Sequence, residues 1–132
     1  MTKTAAEMIS EAKSRVHTVS PHDAAGAGAA KAVFVDVREG EEWQRGHIAG
    51  AIPVPRGLLE FCADPTSPQH KAGLEPNGRV IIVCASGGRA ALAAVTLMDM
   101  GYEDVAVLDG GFNAWKDAGL PTVDDAHPES EV

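Results

Sequence analysis

Cysteine is scarce in this chain: only Cys62 and Cys84 occur among 132 residues. One possible pair does not make a disulfide scaffold at this length. The sequence holds no CxxC, and His17, His22, His47, His70 and His127 are scattered along it, so no zinc-ligand pattern emerges and no bound metal is expected. No apolar run approaches the roughly 20 residues that a membrane-spanning helix needs. Residues 1–16, MTKTAAEMISEAKSRV, carry charges throughout and lack the apolar stretch of a secretory signal. A basic excess is missing too. The formal net charge is −8, which argues against sequence-independent binding to nucleic acid or to an anionic membrane. These absences lead to the expectation of a cytoplasmic protein in a reducing setting.

What is present is enough for one globular domain, with 45% apolar residues and a length that buries an ordinary core. The chain is organised around residues 79–101, RVIIVCASGGRAALAAVTLMDMG. Residues 80–83 are a β-branched apolar run of the kind a buried parallel strand needs. Cys84, Ala85, Ser86, Gly87, Gly88 and Arg89 follow as a glycine-rich turn. The small residues leave its backbone amides uncovered. From residue 89 or 90 to residue 100 the chain is rich in Ala, Leu and Met, ends at Gly101, and reads as a buried helix. Cys84 thus sits where a strand stops and a helix starts, a place where amides and a helix N-terminus stabilise a thiolate or an oxyanion.

The rest of the chain alternates. Ala5, Met8, Ile9, Ala12 and Val16 fall at helical spacing within residues 4–16, predicting an amphipathic helix. Residues 17–19 suit a short first strand. Ser20-Pro21 reads as an N-cap and first helical residue for a short helix over 21–30. Residues 32–37, AVFVDV, predict a second strand, and 39–46 a short acidic helix with Trp43 as its anchor. His47 to Gly50 reads as a turn. Residues 51–54 predict a strand kept at a sheet edge by Pro53. Helix is expected within 57–61, turn chemistry over 64–68, a strand over 104–108, and a last helix over 112–118 that ends at Gly119. Strands alternating with helices argue for an α/β sandwich with a mostly parallel sheet. Asp36, Arg38, Cys84 and Asp109 fall at carboxyl ends of strands, where such folds bind ligands.

The turn itself narrows the chemistry. Cys84 is the soft nucleophile, and Arg89 offers a planar fork to an incoming anion. A loop one residue longer encircles a tetrahedral phosphate and forms a phosphocysteine. Here only Ala85, Ser86, Gly87 and Gly88 separate Cys84 from Arg89, and Val83 rather than a histidine precedes the cysteine. The smaller cradle suits a single added sulfur atom better than a phosphoryl group.

Three ordered segments carry a family resemblance. VFVDVREGEEWQRGHIAGAIPVP (33–55), VIIVCASGGRAALAA (80–94) and DGGFNAWKDAGLPTV (109–123) resemble the opening, active-site and closing motifs of the rhodanese-like sulfurtransferases. The middle segment has the family's Cys-x-x-Gly-x-Arg loop. The resemblance implies a three-layer α/β/α domain around a five-stranded, mostly parallel sheet. It divides the chain into an N-terminal helical extension and first strand region (1–28), a rhodanese-like domain (29–123) and a polar tail (124–132) expected to be disordered.

The resemblance also implies a function: Cys84 takes sulfane sulfur from a donor such as thiosulfate and holds it as a persulfide on the amides of Ala85, Ser86, Gly87, Gly88 and Arg89. It then passes the sulfur to cyanide, a thiol or a protein acceptor, with no metal or organic cofactor. Asp36 and Arg38 match the family's Asp-x-Arg, which braces the site. Many members carry a basic residue directly after the cysteine; Ala85 stands there in this chain. Two rival readings stay open. One is a sulfur-carrier or partner-binding module without independent turnover, and the other a phosphatase or arsenate reductase on the same scaffold. His47 reads as an imidazole satisfied within its turn, and Trp43 and Trp115 as packing anchors. Cys62, as a candidate resolving thiol, and the 56–71 segment, through Arg56, His70 or Lys71, are further candidates near the pocket.

Overall fold

The computed structural model describes residues 2–124. Thr4 opens the first helix, α1 (Ala5–Arg15), with a capping box: its hydroxyl accepts from the Glu7 N–H while the Glu7 carboxylate accepts from the Thr4 N–H. β1 (His17–Val19) follows, and Ser20 then caps α2 (Pro21–Ala29) through the Asp23 N–H. Next come β2 (Val33–Asp36), α3 (Gly40–Arg45), β3 (His47–Ile48) and β4 (Ile52–Pro53). A single 3₁₀ turn (Arg56–Leu58) leads into α4 (Leu59–Ala63). The second half is β5 (Arg79–Val83), α5 (Gly88–Asp99), β6 (Asp104–Leu108), α6 (Gly111–Asp117) and β7 (Thr122–Val123).

Five strands form one parallel sheet in the order β1-β6-β5-β2-β4. Its central strand is β5, and its side chains show why 80–83 is apolar throughout. Val80 and Ile82 pack into one layer with Val35, Val37, Leu59 and Leu97; Ile81 and Val83 pack into the other with Phe34, Ala24, Leu108 and Trp115. A strand covered on both faces has no polar side to show. α4 and α5 therefore cover one face and α2 and α6 the other, which makes the expected α/β/α layering. α1 lies outermost on α5, with the Ile9 side chain against Gly88.

The expected strands and helices are present, with shifts of one or two residues at their ends. Two local expectations are corrected. His47 and Ile48 are not turn residues but a strand, β3, paired antiparallel with β7, which the sequence reading left unassigned. The His47 ring is satisfied not within its turn but by the Trp43 carbonyl of α3 at 2.8 Å, and it stacks on the Trp43 indole at 3.4 Å. The proline argument holds at β4, which is the edge strand beside β2. The tail expected from residue 124 lies, beyond Asp124 itself, outside the described residues.

Candidate active site

β5 delivers Cys84 to the carboxyl edge of the sheet, and α5 starts at Gly88, a residue or two earlier than its composition suggests. That early start turns two amides onto the sulfur: the Gly87 N–H donates to Cys84 Sγ at 3.0 Å and the Ala90 N–H at 3.3 Å. Gly87 makes the turn at φ 128°, a conformation that residues with a Cβ avoid. Cys84 is buried, with 1% of its surface exposed, whereas Ser86 in the same loop is exposed.

The other side of the loop is fixed by α6. The Phe112 N–H donates to the Cys84 carbonyl at 2.7 Å and the Asn113 N–H to the Ala85 carbonyl at 3.2 Å. This docking demands glycine at position 111, where φ is 62° and a Cβ would come within 2.6 Å of the Ala85 carbonyl oxygen and closer still to that of Cys84. α6 thus takes up two carbonyls at the start of the loop while amides farther along meet the sulfur.

Asp36 and Arg38 form a buried ion pair at the end of β2. Arg38 Nη2 and Nε lie 2.8 and 3.1 Å from Asp36 Oδ2, and Nε also reaches Oδ1 at 2.9 Å. The same guanidinium donates to the Gly46 carbonyl at 2.7 Å and lies 4.4 Å over the Phe112 ring. One side chain therefore ties β2 to the end of α3 and to the residue that holds the Cys84 carbonyl.

Arg89 faces a partner the sequence reading did not single out. Its Nη1 and Nη2 donate to Glu42 Oε1 and Oε2 at 2.8 and 2.9 Å, a bidentate fork. The Arg89 hydrogen bonds, opposed by partial burial, hold the Glu42 carboxyl down at about 2. Glu42 in turn holds Arg89 above the usual guanidinium value, against the opposing effect of partial burial. Glu42 also accepts from the Glu39 N–H at 3.1 Å, closing the capping box of α3. The spacing of Glu39 at the N-cap and Glu42 three residues on is a local pattern that the sequence displays. The partner of Glu42 lies 47 positions away, beyond any local pattern.

Beside the loop, α3 and α6 flank an open polar cavity of about 220 Å³. Ala85 reaches it from the loop, Glu42 and Arg45 from α3, Asn113 and Lys116 from α6. Neither Cys62 nor the 56–71 cations are joined to the loop by a hydrogen bond or ion pair among the described residues. Cys62 is a buried free thiol on α4. Arg56 engages Glu60 and Thr96, and His70 the Leu74 carbonyl and Glu75. Among the described residues no cluster of metal-ligating side chains occurs, and no helix is long and apolar enough to cross a membrane.

The sheet order and the turn at the end of its central strand define an α/β domain with a cysteine at a strand-to-helix junction. The profile of the Rhodanese-like domain family matches residues 20–118, and the chain belongs to that family. It is 37% identical over 93 residues to thiosulfate sulfurtransferase 16, chloroplastic, of Arabidopsis thaliana, covering 67% of this chain and 78% of the relative. It is 36% identical over 86 residues to the thiosulfate sulfurtransferase GlpE of Shewanella oneidensis, covering 64% of this chain and 76% of that one. Among solved structures, a protein of unknown function from Rhodopseudomonas palustris, described as a possible tyrosine phosphatase, superposes with a TM-score of 0.84 at 42% identity. The match covers 92% of this chain and 95% of that one.

Proposed function

We propose that this protein is a sulfurtransferase that carries sulfane sulfur on Cys84 between a small anionic donor and a thiophilic acceptor. The observation that carries the reading is the sulfur of Cys84 beneath a short loop, with the Gly87 and Ala90 N–H groups aimed at it. In the first step the Cys84 thiolate attacks the outer sulfur of thiosulfate. An S–S bond forms on the cysteine, the donor's own S–S bond breaks, and sulfite leaves with the bonding pair. The negative charge now rests on the terminal persulfide sulfur, within reach of amide donors of the loop. In the second step cyanide or a thiol attacks that sulfur, and Cys84 returns as thiolate. Such a covalent relay gives ping-pong kinetics and draws on no metal or organic cofactor. Asp36 and Arg38 act as positioning residues by holding Phe112, and through it the Cys84 carbonyl. A reducing cytoplasm, which keeps Cys84 free between turnovers, suits this chemistry.

The likeness to a possible tyrosine phosphatase favours a second reading, phosphoryl transfer, which the four-residue spacing between Cys84 and Arg89 opposes. A third is a sulfur carrier that loads but hands its sulfur only to a protein partner. One experiment separates them: intact mass after incubation with thiosulfate, for the native protein and for Cys84→Ser. Gain of one sulfur that vanishes in Cys84→Ser supports the relay, and turnover with cyanide separates an enzyme from a carrier. No gain from any sulfane donor, with hydrolysis of an aryl phosphate in a parallel assay, overturns it in favour of the phosphatase.

A further inference from the structure

Arg89, the one cation of the loop, is engaged by Glu42, and Arg38 by Asp36. Ala85 supplies no charge of its own. A dianionic donor must nevertheless approach Cys84 in a chain whose formal net charge is −8. We infer that the polar cavity between α3 and α6 is an anion subsite, in which Arg45 and Lys116 hold the charged end of the sulfur donor beside Cys84. This rests on the sulfurtransferase reading and adds the residues that select the donor.

Four observations point to these two side chains. Both line the cavity that Ala85 borders, so they flank the residue next to the nucleophile. Neither has a carboxylate partner among the described residues, unlike Arg38, the other cation of the cavity wall. Among the described residues the one carboxylate on the wall, Glu42, is already neutralised by the Arg89 fork. Lys116 is also linked to the loop: its Nζ lies 5.7 Å over the Phe112 ring, and the Phe112 N–H holds the Cys84 carbonyl. At about 220 Å³ the cavity is smaller than the roughly 300 Å³ at which drug-sized sites begin. It fits an anion of a few heavy atoms, with the Asn113 side chain on the same wall as a further polar contact. Positive charge supplied by two flanking helices thereby replaces the basic residue missing after the cysteine.

The test compares two donors that transfer sulfur by the same step but differ in charge: thiosulfate, a dianion, and methanethiosulfonate, a monoanion. With Arg45→Gln or Lys116→Gln, KM for thiosulfate rises about fivefold each, the factor that roughly 1 kcal/mol represents for one partly solvated charge pair. The methanethiosulfonate value rises less, so the ratio of the two kcat/KM values falls. Arg45→Lys retains most of the ratio, and the double Gln variant loses the dependence of thiosulfate KM on ionic strength. A ratio unchanged in the double variant overturns the subsite. Calorimetric binding of thiosulfate to Cys84→Ser protein, with and without the double Gln substitution, isolates the subsite from the chemistry. Binding that the double variant abolishes, in a protein whose native form never loads sulfur, upholds the subsite and overturns the relay. Turnover with unaltered binding does the reverse.

Discussion

Glu42 and Arg89 close on each other through two parallel hydrogen bonds of 2.8 and 2.9 Å, joining the first turn of α3 to the first turn of α5. An arginine near a helix N-terminus opposes the helix dipole; a carboxylate fork offsets that cost and fixes the side chain. The pair sets a pH dependence of stability. In the folded chain the Glu42 carboxyl titrates at about 2, against an ordinary value of 4.5. Its contribution is complete above about pH 4.5 and is lost as the pH falls towards 2, because the unfolded chain binds the proton first. Solvent screens this partly exposed pair, so Glu42→Gln costs about 1 kcal/mol at pH 7. Urea unfolding at pH 7 and pH 3 checks the sign: the difference between native and variant protein shrinks at pH 3. An equal difference at both values rules the linkage out.

Gly111→Ala tests the docking of α6 on the loop. The new methyl meets the Cys84 and Ala85 carbonyls at a φ of 62°, so either the helix or the loop must move. The expected loss is about 3 kcal/mol, with sulfur loading of Cys84 slowed along with it. Gly119→Ala, also at positive φ but with open space around it, provides the comparison. It costs less and leaves loading intact.

The Asp36–Arg38 pair is buried on both sides. Asp36→Asn or Arg38→Met leaves a buried charge without its partner, at about 3 kcal/mol or more. Arg38→Lys fails to restore stability, since an ammonium cannot span Asp36 and the Gly46 carbonyl in the same plane. Chemical denaturation of the three variants decides this, and full rescue by lysine refutes the bracing role.

Tyr102 carries a separate prediction on the opposite layer. Its hydroxyl donates to the Ala63 and Leu74 carbonyls at 2.7 and 3.1 Å, clasping α4 to the loop before β5. Burial pushes its phenol up to about 12. Tyr102→Phe leaves both carbonyls without this donor and costs about 1–2 kcal/mol. Thermal unfolding measures it, and loading at Cys84 is unaffected.

The parts of the fold that could be read from the sequence were those where one physical requirement acts on consecutive residues. β5 and β6 are covered on both faces, so 80–83 and 105–108 are unbroken apolar runs. Ser20-Pro21 announces a helix start because capping needs a hydroxyl at that offset. β3 and β7 have two residues each, too few for any period, and exist only because the chain end returns past α3. The site divides the same way. Cys84 and its glycines stand together in the chain, whereas the amide of Ala90 became a neighbour of the sulfur only through the exact start of α5. Glu42 meets the loop, and Arg45 and Lys116 the cavity beside it, solely through folding, and no local pattern marks them as a group.

The two margins of the sheet have a bearing on how the protein behaves at high concentration. β4 is two residues long and contains Pro53; β1 is three residues long. Neither offers the run of free amides and carbonyls that another chain needs in order to add a strand. The long, apolar strands β5, β6 and β2 lie inside, each flanked by neighbours. A sheet arranged in this way resists edge-to-edge aggregation, which leaves the carboxyl edge that carries Cys84, rather than its sides, open to small molecules under the proposed function.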